Sequence, residues 1–372
     1  MTEVQAPELL RPNPRIEVVY AGGTISSLAT PEGYREGGHV VDLLGQLAEK
    51  SPQLKGRFTL GNAEVAYTGL SENMDENYWR QIESIVSGAL QRSPDAVLIT
   101  HGTDSMEQTA RRLEGTYGEE LVKNNRKIIL TGANEDISHP ETDAWSNLEF
   151  SFESASGNEP PGVYVSFHGR LIPAGLVVKE PYNGQEMNYV AKNDVQYVEA
   201  VSKQKEMDEL VAKQFEEVIS GDPHPERVVS LDVNVVRGNN DELFEKLTDP
   251  NVKTVLLTLY HSGTANIENP LLSIPDFVKK LREERDIIFF GVTENGEPVD
   301  LHSYETSVRL REAGVVPLYD MRKDVALKKL ERVTGEDSAE VIDEMLKNRV
   351  GEIDESRIIP EDMAKLKLLY AA

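Results

Sequence analysis

The sequence predicts an α/β protein built on parallel sheets, and three observations carry that expectation. Short β-branched runs recur along the chain, segments with helical spacing lie between them, and the alternation resumes at smaller scale beyond a break near residue 220. Strands that alternate with helices imply βαβ units, in which a parallel sheet is covered on both faces. In such sheets ligands bind beyond the carboxyl ends of the strands.

The first strand is Ile16 to Tyr20, a β-branched run that meets Ala21-Gly22-Gly23-Thr24, where paired glycines end the strand and let the backbone turn sharply. Similar runs follow at Ala96–Thr100, Lys127–Thr131 and Val163–Phe167. Trp79, Ile82, Ile85, Val86 and Leu90 recur at helical intervals, as do Met106, Ala110 and Leu113, and each set predicts a helix with one apolar face. Gly221-Asp222-Pro223-His224-Pro225 then interrupts a charged helical stretch, so a domain boundary is expected there, with one domain over 1–220 and a second over 221–372. In the second, Val255–Tyr260, a helix through Phe277–Glu284, Ile287–Val292 and Gly314–Pro317 repeat the βα pattern. The tail after Gly335 is charged and helix-prone, and its Ala364–Tyr370 end either docks a partner or packs back.

Composition narrows the function. The chain has 372 residues, with 39 Lys+Arg against 64 Asp+Glu, a net charge of −25. A length of this order suits about two domains and cores that need no staples. The charge has the wrong sign for a phosphate backbone or an anionic membrane surface, so neither nucleic acid nor membrane is expected as a partner. There is no cysteine, which excludes disulfides, thiol nucleophiles and Cys-ligated metals. The histidines, 7 in all, include no i, i+4 pair, and a metal site is not expected. Met1 to Arg15 holds no apolar run of signal-peptide length and no later stretch is long enough to span a bilayer, so the expected location is cytoplasmic.

Two places carry residues suited to chemistry. Thr24 follows two glycines at a strand end, where its hydroxyl either caps the next turn or faces a ligand. The strand Ala96–Thr100 runs directly into His101-Gly102-Thr103-Asp104-Ser105-Met106-Glu107. Helix capping by Asp104 or Ser105 explains one of these polar residues; it does not explain several in succession. A threonine hydroxyl is a weak nucleophile at neutral pH and needs a base within hydrogen-bond reach. Lys179, the basic residue that ends Gly175-Leu176-Val177-Val178, suits that role if buried, whereas the bland reading is a lysine that snorkels to the surface.

The combination resembles the bacterial-type L-asparaginases. Ala21-Gly22-Gly23-Thr24-Ile25 is similar to their first signature and His101-Gly102-Thr103-Asp104-Ser105-Met106-Glu107 to their second, about 80 residues on. The resemblance extends through Leu130-Thr131-Gly132-Ala133, Asp143 to Leu148, Asp300 to Tyr304 and Ala313 to Val316. It implies a large N-terminal parallel-sheet domain, a smaller C-terminal α/β domain, active sites at a subunit interface, and amide hydrolysis through an acyl-enzyme without metal or cofactor. By resemblance, Thr24 is the nucleophile, Tyr34 its activating partner, and Thr103 with Lys179 a second hydroxyl–base pair. Asp104 holds the substrate ammonium and Ser71 its α-carboxylate, while Gly23, Glu72, Gly102 and Ala133 complete the substrate contacts.

The chain also departs from the family pattern. Glu72 stands where Gln is usual, and a carboxylate there fits a substrate carboxylate only if a proton or cation compensates. Asn134-Glu135-Asp136 makes the loop after Ala133 acidic, and Glu135 and Asp136 are expected near the pocket with Glu72. Asn266 is a candidate for reaching a neighbouring site, and either Glu297 or Asp300 for supporting Tyr34.

The leading expectation is an L-asparaginase, with possible glutaminase activity, that takes a small amino-acid amide and assembles as a homodimer or homotetramer. A non-catalytic or altered-specificity amide-binding member is one alternative. Another is the asparaginase-like subunit of an archaeal-type glutamyl-tRNA amidotransferase. The net charge of −25 and the twenty residues before Ala21, too few for that subunit's added N-terminal domain, count against it.

Overall fold

The computed structural model describes residues 13–29, 35–36, 42–180, 188–219, 221–233, 247–269, 273–294, 296–333 and 337–371. Strand β1 (Arg15–Ala21) and its glycine turn are followed by the two-residue strands β2 (Leu28–Ala29) and β3 (Arg35–Glu36), helix α1 (Leu43–Lys50) and strand β4 (Thr59–Tyr67). Helix α2 (Glu76–Gln91), β5 (Ala96–His101), α3 (Met106–Asn124), β6 (Lys127–Thr131), α4 (Ala144–Ser156), β7 (Gly162–Phe167) and β8 (Arg170–Pro173) complete a six-stranded sheet. Its order is β4-β1-β5-β6-β7-β8, parallel except for β8 against β7. The chain passes from β1 to one side and returns to the other, so the topological switch lies between β1 and β5. That is where an open α/β sheet offers a crevice.

The apolar runs pack as their period requires. Along β5, Val97 and Ile99 face α2 and α3, while Ala96 and Leu98 face α1 and α4, so both sheet faces are buried. Helix α2 buries Trp79, Ile82, Val86 and Leu90, and it starts at Asp75, whose carboxylate accepts from the Asn77 and Tyr78 amides at 2.8 and 3.1 Å. Each fully buried aliphatic side chain of this kind contributes about 1.5–3 kcal/mol.

An antiparallel hairpin, β9 (Val177–Glu180) and β10 (Asn188–Ala191), sets Lys179 opposite Tyr189. Helix α5 (Val195–Val218) leads to a second, wholly parallel sheet of β11 (Val228–Asp232), β12 (Thr254–Leu259), β13 (Ile288–Thr293) and β14 (Val316–Pro317). Helices α6 (Ile274–Arg285) and α7 (Glu305–Ala313) cover one face. The other is covered by α8 (Lys323–Arg332), α9 (Ser338–Leu346), α10 (Pro360–Tyr370) and Phe215 of α5. The architecture is thus a large parallel-sheet domain and a smaller C-terminal α/β domain.

The tail packs back on its own chain. Met363, Leu366 and Tyr370 enter the C-terminal core, and the Tyr370 hydroxyl donates to the Gly314 carbonyl at 2.7 Å and accepts from the Phe289 amide at 3.0 Å. Among the described residues no helix is long and apolar enough to cross a membrane.

Candidate active site

The turn after β1 is built on two left-handed glycines, Gly22 at φ 67° and Gly23 at φ 85°. A Cβ on Gly23 would lie 2.1 Å from the Gly102 Cα, and one on Gly102 would lie 2.5 Å from the Ser71 Cβ. The turns after β1, β4 and β5 therefore meet backbone to backbone. Thr24 opens a 3-10 turn and is 5% exposed, and its hydroxyl caps nothing and has no hydrogen-bond partner among the described residues.

Thr103, Asp104 and Lys179 form one connected group. Lys179 Nζ donates to Thr103 Oγ1 at 2.9 Å and to Asp104 Oδ1 at 2.6 Å, with all three residues buried. Lys179 does not snorkel, because the hairpin turns it inward. The Glu107 carboxylate accepts from the Lys179 amide at 3.1 Å, and the Tyr189 hydroxyl donates to the Thr103 carbonyl. Burial opposes charge on Asp104, but Lys179, the Thr264 hydroxyl at 2.7 Å and His261 hold its carboxyl below the usual range. Neither Asp104 nor Ser105 caps α3 through its side chain; Ser105 Oγ instead donates to the Ser71 carbonyl at 2.8 Å.

Ser71 and Glu72 lie in the turn after β4. Ser71 Oγ accepts from the Asp104 amide at 3.1 Å, which leaves its own hydrogen free to donate. Glu72 is 4% exposed and accepts from Thr306 Oγ1 at 2.5 Å. Burial and the Asp104 charge push the Glu72 carboxyl up to about 8, against the opposing pull of Thr306, its own amide and Lys179. Gly23, Thr24, Ser71, Glu72, Gly102, Thr103 and Asp104 line one small cavity with Ser262 and Tyr304. Lys179 stands behind Thr103 and Asp104.

Other expected residues lie elsewhere. Ala133 is fully buried beneath a loop that Asp143 ties down, accepting from the Asn134 and Glu135 amides at 2.9 and 3.1 Å. It does not line the cavity, and neither do Glu135 and Asp136; Asp136 accepts from the Ser138 amide at 2.9 Å. Burial pushes the His101 imidazole down to about 4, and its ring bonds Thr109 at 2.9 Å. Glu297 pairs with His261 at 3.2 Å, and Asp300 accepts from the His302 amide at 2.8 Å. Asn266 Nδ2 donates to the Asn73 carbonyl of the same chain at 2.8 Å. Tyr34 falls outside the described residues.

Sequence reading missed Ser262 and Tyr304 of the cavity lining, and it missed two hydroxyls that bind the carboxylates there, those of Thr264 and Thr306. Both come from the C-terminal domain of the same chain, where the resemblance led us to expect a neighbouring subunit. Each places one hydroxyl on one buried carboxylate, and lone threonines in a loop and on a helix give no local signal of this. The whole group offers a hydroxyl with no partner among the described residues, a hydroxyl–lysine pair and two carboxylates around one crevice, a set suited to acyl transfer. Among the described residues no group of three or more His, Asp or Glu side chains is placed to hold a metal ion.

A family profile described as "Asparaginase, N-terminal" matches residues 15–209. The chain is 29% identical over 317 residues to the D subunit of the glutamyl-tRNA(Gln) amidotransferase of Sulfurisphaera tokodaii, covering 81% of this chain and 67% of that one. It is 28% identical over 355 residues to the corresponding D subunit of Thermococcus kodakarensis, covering 91% and 76%. Among solved structures, the thermostable L-asparaginase from Thermococcus kodakarensis is similar with a TM-score of 0.38 and 22% identity, over 91% of this chain and 99% of that one.

These relatives correct two expectations. Proteins that match most of the chain are named as subunits of an enzyme acting on glutamyl-tRNA(Gln), which overturns the reading of a self-sufficient L-asparaginase. The same finding overturns an assembly of identical copies with no nucleic acid among its partners. The signatures describe amide cleavage and are silent on where the ammonia goes. Net charge excludes phosphate contacts for a protein that works alone, but in a larger assembly another subunit can carry them.

Proposed function

The chain belongs to the asparaginase family, and from that premise we propose that it is the amide-hydrolysing subunit of a glutamyl-tRNA(Gln) amidotransferase. It releases ammonia from glutamine or asparagine, and the ammonia amidates glutamate carried on tRNA. The observation that supports the subunit role most directly is the likeness to D subunits over 81% and 91% of this chain. The Thr24 crevice and the Thr103–Lys179–Asp104 group support the hydrolytic half.

In this reading Thr24 Oγ attacks the amide carbon and forms an ester. The hydroxyl proton is given up as the C–O bond forms, the C–N bond breaks, and ammonia leaves with one proton gained. Thr103 accepts from Lys179, so its own hydrogen is free to donate, and Thr103 passes that hydrogen to the leaving nitrogen as it takes the proton of Thr24. Water then adds to the ester carbon and gives a proton to the Thr103 hydroxyl, which passes its own hydrogen to Thr24 Oγ as the bond to Thr24 breaks. Asp104 fixes the Lys179 ammonium at the base of the relay.

The test is amidation of glutamyl-tRNA(Gln) by the native assembly, purified through a tag on this chain and supplied with amide-labelled glutamine. Label should reach glutaminyl-tRNA with the wild type and not with Thr24→Ala, and added ammonium salt should restore amidation in the variant. Rapid ammonia release from asparagine by the chain alone, with no labelled glutaminyl-tRNA from the assembly, would overturn the proposal.

A further inference from the structure

A second cavity, of about 410 Å³, lies in the C-terminal domain and shares no lining residue with the crevice. It sits beyond the carboxyl ends of β13 and β14, where a parallel sheet leaves room for a ligand, and its volume suits a small molecule. Val299, Leu301, Pro317, Ile359 and Leu366 give it an apolar wall. Its two carboxylates are already engaged. Asp300 accepts from the His302 amide at 2.8 Å and from the Ser303 hydroxyl. Asp362 Oδ2 accepts from His302 Nε2 at 2.7 Å, while its Oδ1 faces Arg311 at 3.8 Å. A guanidinium only donates, so His302 Nδ1 is the acceptor for Arg311 Nη1.

The donors around this cavity are not used up in the same way. Arg311 engages His302 and Asp362 through Nη1 and makes no bond through Nε or Nη2 among the described residues. Arg357 meets Asp354 at 3.5 Å and Asp320 at 3.9 Å through Nε alone, which leaves both of its Nη groups. The Tyr319 hydroxyl accepts from the Ile359 amide at 3.1 Å and keeps a hydrogen to give, since burial pushes its phenol up. The Tyr319 backbone also holds φ 50°, a conformation that is costly for a residue with a side chain and that recurs where ligands are clamped. We propose that the cavity binds a small monocarboxylate with an apolar body, its carboxylate held by Arg311 and Arg357 and its body against the wall. Spare guanidinium N–H groups form the fork that a planar carboxylate fits. The neighbouring charges set the limit of one. A dianion such as a phosphate monoester would meet Asp300, Asp320, Asp354 and Asp362 around only two arginines. The site uses no residue of the Thr24 crevice and goes beyond the proposed amidotransferase role.

Phenylacetate is the probe, titrated by calorimetry into the full chain at neutral pH. Phenylacetamide keeps the body without the charge, and acetate keeps the charge without the body. Wild type should bind phenylacetate with a Kd below about 1 mM, within reach of a ligand of this size, and should bind either control about tenfold or more weakly. Arg357→Gln should weaken phenylacetate about tenfold, the value of one hydrogen bond to a charged group. Arg357 is exposed and its side chain makes no hydrogen bond among the described residues, so the melting temperature of this variant should stay near that of wild type. Arg311→Gln should weaken binding in the same way. Ser71→Ala, which removes a hydroxyl donor from the crevice, should bind phenylacetate as wild type does and so separates the two cavities. No wild-type Kd below about 1 mM, equal binding of phenylacetamide, undiminished affinity in Arg357→Gln, or loss of binding in Ser71→Ala would each overturn the assignment.

Discussion

Thr264 donates its hydroxyl hydrogen to Asp104 across 2.7 Å, joining side chains 160 residues apart. The carboxylate that anchors Lys179 in the large domain is thus held from the small one. If this bond positions the relay, Thr264→Val should lower kcat by about tenfold or more, the value of one hydrogen bond to a charged group. Thr264→Ser keeps the hydroxyl and should restore it. Steady-state ammonia release with separate kcat and KM checks this, and a change confined to KM would contradict it.

Lys179→Met removes the cation paired with Asp104. Ammonia release should fall on the order of a thousandfold, as expected when the hydroxyl that Lys179 orients no longer transfers the proton. Stability should fall by about 3–5 kcal/mol, because a buried carboxylate is left unpaired. Assay and denaturant titration read the two effects independently.

Thr24→Ala should separate them in the other direction. Its hydroxyl bonds none of the described residues, so the melting temperature should stay near that of wild type while turnover is lost. Hydroxylamine should trap an acyl group from wild type and none from the variant.

Glu72 also makes stability depend on pH. Its carboxyl lies near 4.5 when unfolded and about 8 when folded, so its contribution is full below about 4.5 and is lost as pH rises through about 8. Glu72→Gln should therefore gain on wild type by about 1.4 kcal/mol per pH unit between those limits and no further above them. Melting curves from pH 5 to pH 9 test the sign.

Glu297 runs the opposite way. Burial pushes its carboxyl up, but the hydrogen bond and charge of His261 outweigh that and hold it at about 2. The stability this gives is present above about pH 4.5 and is lost as pH falls through about 2. Glu297→Gln should flatten acid unfolding over that range.

Much of the first domain was legible because its strands are continuous apolar runs. Ile16–Tyr20 became Arg15–Ala21, and Lys127–Thr131 matched to the residue. Strand β4 escaped notice because it is a polar, half-exposed edge with no buried alternation to betray it. The signature turns announced Thr24, Thr103 and Asp104, but Lys179 on its own reads as a surface residue, and only the hairpin turns it inward. Thr264 and Thr306 were invisible, since what selects them is a domain contact between residues far apart in the chain.

The contact of Gly23 with Gly102 has a consequence for engineering. With 2.1 Å between one backbone and a hypothetical methyl on the other, the two turns cannot be varied or transplanted separately. Whoever moves these turns to another scaffold must carry β1, β5 and both turns as one cassette, because a single added carbon would force Thr24 and Thr103 apart with the turns that hold them.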